Sequence, residues 1–193
     1  MEFDKEWWNQ KYLNDETRWD IGYPSTPIKK YIDQLADKEL SILIPGCGNA
    51  YEAEYLVANG FKNVFLIDWS EVALENFKRK KHNIPDDHLF CGDFFEHTGK
   101  YDMIIEQTFF CAIDPRERSN YAVKVYELLN DDGKLVGLLF DDKLNDDKPP
   151  FGGSREEYVQ YFLPYFKLKV FEKAYNSIGP RTDREIFMIL VKN

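Results

Sequence analysis

Short apolar runs alternate with amphipathic stretches along most of this chain. Ser41-Ile42-Leu43-Ile44-Pro45 stops at a glycine pair, Val64-Phe65-Leu66-Ile67 stops at Asp68, and Tyr101–Glu106 and residues 134–140 repeat the theme. Continuous apolar runs of this kind predict strands buried on both faces. Leu89-Phe90-Cys91 predicts a shorter strand, and Asp131-Asp132-Gly133 a turn into residues 134–140. Between the strands the spacing becomes helical. Helices are predicted over residues 50–59, ended by Asn59-Gly60, and from Ser70 to about Lys81. Another is predicted from Asp114-Pro115 to about Leu129, with Val123, Val125, Leu128 and Leu129 as its apolar side. Such alternation predicts a parallel sheet covered by helices on both faces. The chain ends differently. A helix over residues 155–163 is followed by two strands, Phe166–Ala174 and Glu185–Val191, joined only by a loop. Without a helical crossover they pair antiparallel. Ahead of the alternating core, residues 3–13 predict a short helix and 18–24 a loop. Ser25 or Thr26 caps a helix that starts at Pro27 and runs to about Asp37.

At 193 residues the chain predicts one domain, with a helical extension over 1–38 and an α/β core over 39–193. Hydrophobic content of 44% and aromatic content of 16% exclude global disorder. A net charge of -9 argues against nucleic acid and against anionic membrane surfaces as partners. Three widely spaced cysteines, Cys47, Cys91 and Cys111, form no CxxC pair and fit a reducing, cytoplasmic compartment. The charged start of the chain does not read as a signal peptide, and no apolar run reaches membrane-spanning length. A monomer is expected.

The chemistry gathers at the strand ends. Gly46-Cys47-Gly48 follows the first strand, and Asp68 ends the second about twenty residues on. Glycines let the backbone approach a ligand, and the acid can accept both ribose hydroxyl protons, so the pairing predicts a nucleotide-like cofactor. The bland alternatives are an ordinary turn and an acid favoured by a helix N-terminus. The dinucleotide fingerprint GxGxxG fails, because Tyr51 holds the third glycine position. Five parallel units closed by a hairpin are also unusual for a dinucleotide dehydrogenase. They are the usual layout of the S-adenosylmethionine-dependent methyltransferases, whose cofactor has no pyrophosphate to cradle. In that reading Trp69 is a flat wall beside adenine, Asp93 accepts from the adenine amine, and the Phe94 amide meets a ring nitrogen. Glu106 and Gln107 end the fourth strand at the sheet edge where such folds bind ligands, and Thr108-Phe109-Phe110-Cys111 lines the same edge. The alternatives are a turn with two core phenylalanines and a half-exposed strand end. Trp7, Trp8, Tyr12 and Trp19 either anchor the N-terminal helix or form a lid, where aromatic faces favour a cationic sulfonium. His82, His88 and His97 lack metal spacing and read as surface or loop residues. Asp141-Asp142 and Asp146-Asp147 read as a solvated loop.

The chain resembles the thiopurine S-methyltransferase superfamily, nearest its thiol and halide methyltransferase branch. The matching segments run in order across nearly the whole sequence. They are Trp8, Tyr12 and Trp19-Asp20-Ile21-Gly22, then Ile44-Pro45-Gly46-Cys47-Gly48 and Leu66-Ile67-Asp68-Trp69-Ser70. Gly92-Asp93-Phe94-Phe95, the run from Tyr101 to Ile113, and Pro149-Pro150-Phe151 follow. The resemblance implies a Rossmann-like seven-stranded class I methyltransferase sheet. It also implies S-adenosyl-L-methionine held by Trp8, Tyr12, Trp19, Gly46, Asp68, Asp93, Phe94 and Gln107, with a small-molecule methyl acceptor. Spacing adds Gly48, Trp69 and Glu106. Tyr12 and Gln107 depart from the family pattern without disturbing the cofactor. Phe140 and Asp147-Lys148 depart from it beside the expected acceptor pocket, which speaks against halide or thiocyanate.

The expected reaction is methyl transfer to a small soft nucleophile, a thiol. No catalytic residue stands out, and a thiol that ionises near neutral pH does not require one. Arg181 and Arg184 are candidates for steering an anionic acceptor, with solvated turn charges the stronger alternative. An O- or N-methyltransferase, a cofactor-binding protein without turnover and an NAD-dependent oxidoreductase remain as rivals. The N-terminal segment is expected to be a mobile lid.

Overall fold

The structure is a computed structural model and describes residues 3–80 and 83–193. His82 and the expected helix end at Lys81 lie outside the described residues. Seven strands form one sheet: β1 Ser41–Pro45, β2 Asn63–Asp68, β3 Leu89–Cys91, β4 Tyr101–Gln107, β5 Leu129–Phe140, β6 Phe166–Lys173 and β7 Glu185–Lys192. Their order is β3-β2-β1-β4-β5-β7-β6. The first five pair parallel, while β7 pairs antiparallel with both β5 and β6. The alternating core and terminal hairpin are thus those the sequence pattern predicts. β1 has β2 on one side and β4 on the other, so the chain reverses direction across the sheet there. The crevice at such a switch point is where open α/β sheets take ligands.

Six α-helices, with short 3-10 turns between elements, accompany the sheet among the described residues: α1 Lys5–Leu13, α2 Thr26–Ile32, α3 Tyr51–Ala58, α4 Glu71–Lys78, α5 Arg118–Leu128 and α6 Arg155–Phe162. Side-chain caps start some of them, whereas Ser25 stands at the N-cap of α2 with its hydroxyl unbonded and α2 begins at Thr26. Asp4 caps α1 by accepting the Trp7 amide at 2.9 Å. Ser70 caps α4 by accepting the Ala73 amide at 3.2 Å, and Ala73, Leu74 and Phe77 bury one side of that helix. Two apolar layers sandwich the sheet. Tyr121, Val125, Tyr158 and Phe162 lie on one face, and Ile28, Ile32, Leu56 and Phe77 on the other. Burying each such side chain contributes about 1.5–3 kcal/mol.

Three details differ from the sequence pattern. α2 ends at Ile32, well before Asp37, because tight i−3 bonds from Gln34 and Leu35 replace helical ones. A 3-10 turn over Pro115–Glu117 precedes α5, whose buried side is Tyr121, Ala122, Val125 and Leu128; Val123 is only half-buried and Leu129 starts β5. Asp131-Asp132-Gly133 does turn, but inside β5. Tyr101 pairs with Leu129 and Met103 with Lys134, so the extra residues bulge out, with Asp132 at φ +58°. Among the described residues no helix is long and apolar enough to cross a membrane.

Candidate active site

A cavity of about 780 Å³ opens at the carboxyl ends of β1, β2 and β4. Its first wall is the turn after β1. Gly46 and Gly48 have φ of +55° and +51°, and the Gly48 amide donates to Asp68 Oδ2 at 2.8 Å. A Cβ on Gly46 would lie 2.4 Å from Cδ2 of Phe109, so glycine is required by both conformation and space. Asp68 Oδ1 accepts the Ser70 amide at 2.8 Å. Burial pushes the Asp68 carboxyl up to about 6, against the pull of the amides it accepts. Trp69 is 40% exposed and stands beside Asp68 on the same cavity.

The second wall follows β3. Asp93 accepts the Phe95 amide at 2.9 Å and starts a 3-10 turn over Phe94–Glu96. Phe94 is buried, with its ring edge-on to Phe109 at 5.2 Å.

The roof is the N-terminal extension. Trp7, Trp8, Trp19 and Tyr12 form an edge-to-face row with centroids 4.7, 5.6 and 5.9 Å apart. Polar contacts fasten this roof. Asn9 Oδ1 accepts the Ser70 hydroxyl at 2.8 Å. Asp20 Oδ2 accepts from the Asn49 amide group and from Tyr51 Oη. Arg181 Nη2 donates to the Trp19 carbonyl at 3.0 Å. Burial lifts the Tyr12 phenol well above its ordinary value, so it stays neutral.

The floor follows β4. Gln107, Thr108, Phe109 and Cys111 line the cavity, and Gln107 Oε1 is buried without a hydrogen-bond partner. Burial pushes the Cys111 thiol up to about 12. Beyond it the cavity runs between Ile113, Phe140, Leu144, Pro149 and Pro150.

Trp8, Tyr12, Trp19, Gly46, Gly48, Asp68, Trp69, Asp93, Phe94 and Gln107 therefore converge on one cavity. Glu106 does not. It is fully buried beneath the floor, where its oxygens accept Phe109 N, Phe110 N and Tyr121 Oη. Adjacent strand residues point to opposite faces, so a strand end that shows Gln107 to the cavity hides Glu106 from it. Phe110 likewise leaves the rim and packs on Tyr121, Tyr158 and Phe162. Arg181 is no solvated turn charge. It is 8% exposed, lines the cavity and pairs with Glu185 at 3.4 Å. Arg184 also lines the cavity, exposed and paired with Asp142. His97 is buried, bonded to Tyr101 Oη at 2.7 Å, rather than at the surface. Sequence reasoning missed Asn9 and Glu52, whose carboxylate accepts the Ser25 amide at 2.9 Å from the cavity wall. A capping-type Asn beside two tryptophans and an acid one turn after the glycines were the available signals. No cluster of three His, Cys, Asp or Glu side chains suited to a metal occurs among the described residues.

Comparison with known proteins gives the chain a family and a fold. The family described as Thiopurine S-methyltransferase matches residues 3–187. A probable thiol methyltransferase 2 of Arabidopsis thaliana is 29% identical over 185 residues, covering 92% of this chain and 81% of the relative. Thiopurine S-methyltransferase of Bos taurus is 23% identical over 206 residues, covering 90% and 84%. Among solved structures, Burkholderia thailandensis 1,6-didemethyltoxoflavin-N1-methyltransferase, with 1,6-didemethyltoxoflavin and S-adenosylhomocysteine bound, shares the fold. Its TM-score is 0.76 at 13% identity, over 98% of this chain and 87% of that one. A TehB-like methyltransferase from Corynebacterium glutamicum gives 0.69 at 15% identity, over 98% of both chains. The chain belongs to the thiopurine S-methyltransferase family and is an S-adenosylmethionine-dependent methyltransferase.

Proposed function

We propose that this enzyme methylates the sulfur of a small apolar thiol, held at the far end of the same cavity that takes the methyl donor. The observation that carries the reading is continuity. The cavity runs unbroken from the Gly46 turn and Asp68 to an end lined by Ile113, Phe140, Leu144 and Pro150, where the Arg181 guanidinium lies over the Phe140 ring at 5.6 Å. Its volume lies within the range of about 300–1,000 Å³ that encloses drug-sized ligands. The relative named a probable thiol methyltransferase supports sulfur as the acceptor atom.

The residues present fit S-adenosylmethionine. Asp68 keeps lone pairs for a ribose diol after accepting two amides, since each carboxylate oxygen has two acceptor sites. A Cβ on Gly92 would meet nothing within 4 Å, which leaves room for a flat ring between Trp69 and Phe94. The unpartnered Gln107 Oε1 suits an ammonium donor on the methionine tail. When bound, the cofactor supplies a methyl group already activated on a cationic sulfonium. Trp8, Tyr12 and Trp19 then present aromatic faces and keep water out. Neutral Tyr12 and Cys111 neither compete as nucleophiles nor add charge. The acceptor arrives as thiolate. About a tenth of an ordinary thiol is ionised at pH 7.5, and its proton goes to solvent before the acceptor docks. What remains for the protein is proximity and alignment. The lid is the part of the N-terminal extension ahead of α2, whose Ile28 and Ile32 pack on the sheet itself, and the unpaired cysteines fit a reducing, cytoplasmic setting.

Calorimetric titration with S-adenosylhomocysteine, followed by a screen of thiols, halides and phenols, tests the reading. Micromolar binding with turnover of apolar thiols is expected. Preferential methylation of halides or phenols would overturn the acceptor assignment, and no binding would overturn the donor site.

A further inference from the structure

Glu106 is the side chain that the cofactor site leaves unused. It lies in β4 with no exposed surface. Oε1 accepts the Phe109 and Phe110 amides, both at 2.8 Å, and Oε2 accepts Tyr121 Oη at 2.6 Å. Three donors converge on one carboxylate, and no ion pair to it occurs among the described residues. The chain between these contacts is strained. Thr108 is β-branched and holds φ +60°, which such residues rarely adopt. Strain of this kind persists only where the surroundings over-determine it. Glu106 supplies that constraint from below. The loop it holds spans both ends of the cavity. Phe109 lies against the Gly46 turn, and the Cys111 carbonyl accepts the Phe151 amide at 2.7 Å beside the Pro149-Pro150 end.

We infer that Glu106, in its ionised form, is a positioning residue for methyl transfer, holding the Gln107–Cys111 loop in the shape that aligns donor and acceptor. This rests on the proposed reading only in taking the two cavity ends as donor and acceptor sites. A protonated carboxyl cannot serve all three donors equally. It is a weaker acceptor for two amides at one oxygen, and a proton on Oε2 leaves the buried Tyr121 hydroxyl without an acceptor. Among the described residues, the titratable or charged groups facing it are few. They are Tyr121 on α5, Cys111 on the loop, and Arg118 on α5. Arg118 lies over the Phe110 ring at 5.0 Å and is paired with Glu157 of α6 at 2.7 Å. β5 brings Gly137, and the 3-10 turn after β3 brings Phe94. Burial pushes the carboxyl up to about 7, so the change of form falls within the working range.

The test is the pH profile of kcat at saturating S-adenosylmethionine, with an acidic aromatic thiol that is ionised throughout. Wild type is expected to lose roughly tenfold between pH 8 and pH 6, as one group titrating near 7 requires. Glu106→Gln, permanently neutral, should be slower than wild type at pH 8 by at least about tenfold and flat down to pH 6. Its melting temperature should be unchanged or raised, because a buried charge is gone. Tyr121→Phe removes one donor and should move the acid limb upward, which keeps the test valid if the first variant fails to fold. A wild-type limb retained in either variant, or full activity of Glu106→Gln at pH 8, overturns the inference. Calorimetric binding of S-adenosylhomocysteine to wild type at pH 8 reports separately on the proposed function.

Discussion

At the scale of single residues, Gly46 carries the sharpest demand in the site. Its φ of +55° costs any other L-residue about 1–2 kcal/mol, and a Cβ there would press 2.4 Å from the Phe109 ring. Gly46→Ala should weaken S-adenosylhomocysteine binding by roughly tenfold or more in calorimetry. Gly179→Ala, where a Cβ meets nothing within 4 Å and which does not line the cavity, is the control and should leave that binding unchanged. An unaffected Gly46→Ala would mean that the turn does not shape the site. Gly46, Asp68 and Asp93 were legible because a strand end, a glycine and an acid at fixed spacing constrain the backbone directly. Glu106 and Arg181 were not. Their directions depend on alternation at a strand end and on a contact with Trp19 from the opposite end of the chain. Spacing along the sequence records neither.

Among the elements, β4 and β5 show what the apolar pattern does and does not specify. Both strands follow from their continuous apolar runs, and their parallel pairing from the intervening α5. The close approach between them does not. Gly137 lies opposite Glu106, and a Cβ on it would come within 2.3 Å of the Glu106 carbonyl oxygen and 2.5 Å of its Cβ. Those atoms are backbone or rigidly attached to it, so the strands themselves would have to part. Gly137→Ala should cost about 1–3 kcal/mol in chemical denaturation and disturb the loop above it. A variant as stable as wild type would show that the sheet yields more freely than this packing implies. In sequence, Gly137 was one small residue in an apolar run. The turn at Asp131-Asp132-Gly133 was legible, but its use as a bulge depended on where Leu129 and Lys134 find partners.

For the molecule as a whole, the question is how the N-terminal extension stays on the core. Asn9 is 8% exposed and accepts from the Ser70 hydroxyl at 2.8 Å and the Val72 amide at 3.4 Å, which ties α1 to the start of α4. The exposed Lys5–Glu71 pair at 3.2 Å adds little. Asn9→Ala should cost about 1–3 kcal/mol in α1 docking, because buried donors lose their acceptor. Limited proteolysis should then cut residues 1–25 faster, with the midpoint for the sheet almost unmoved. Unchanged cleavage would show that the aromatic row alone holds the helix. The same row has an optical consequence. All four tryptophans of the chain, Trp7, Trp8, Trp19 and Trp69, border the one cavity, while the two hydrophobic layers contain only phenylalanine and tyrosine among their large rings. Indole emission from this protein is therefore a signal from its binding site. A thermal scan followed by that emission traces departure of the roof, and one followed by far-ultraviolet dichroism traces loss of the sheet. The gap between the two curves measures how far the enzyme can open without unfolding.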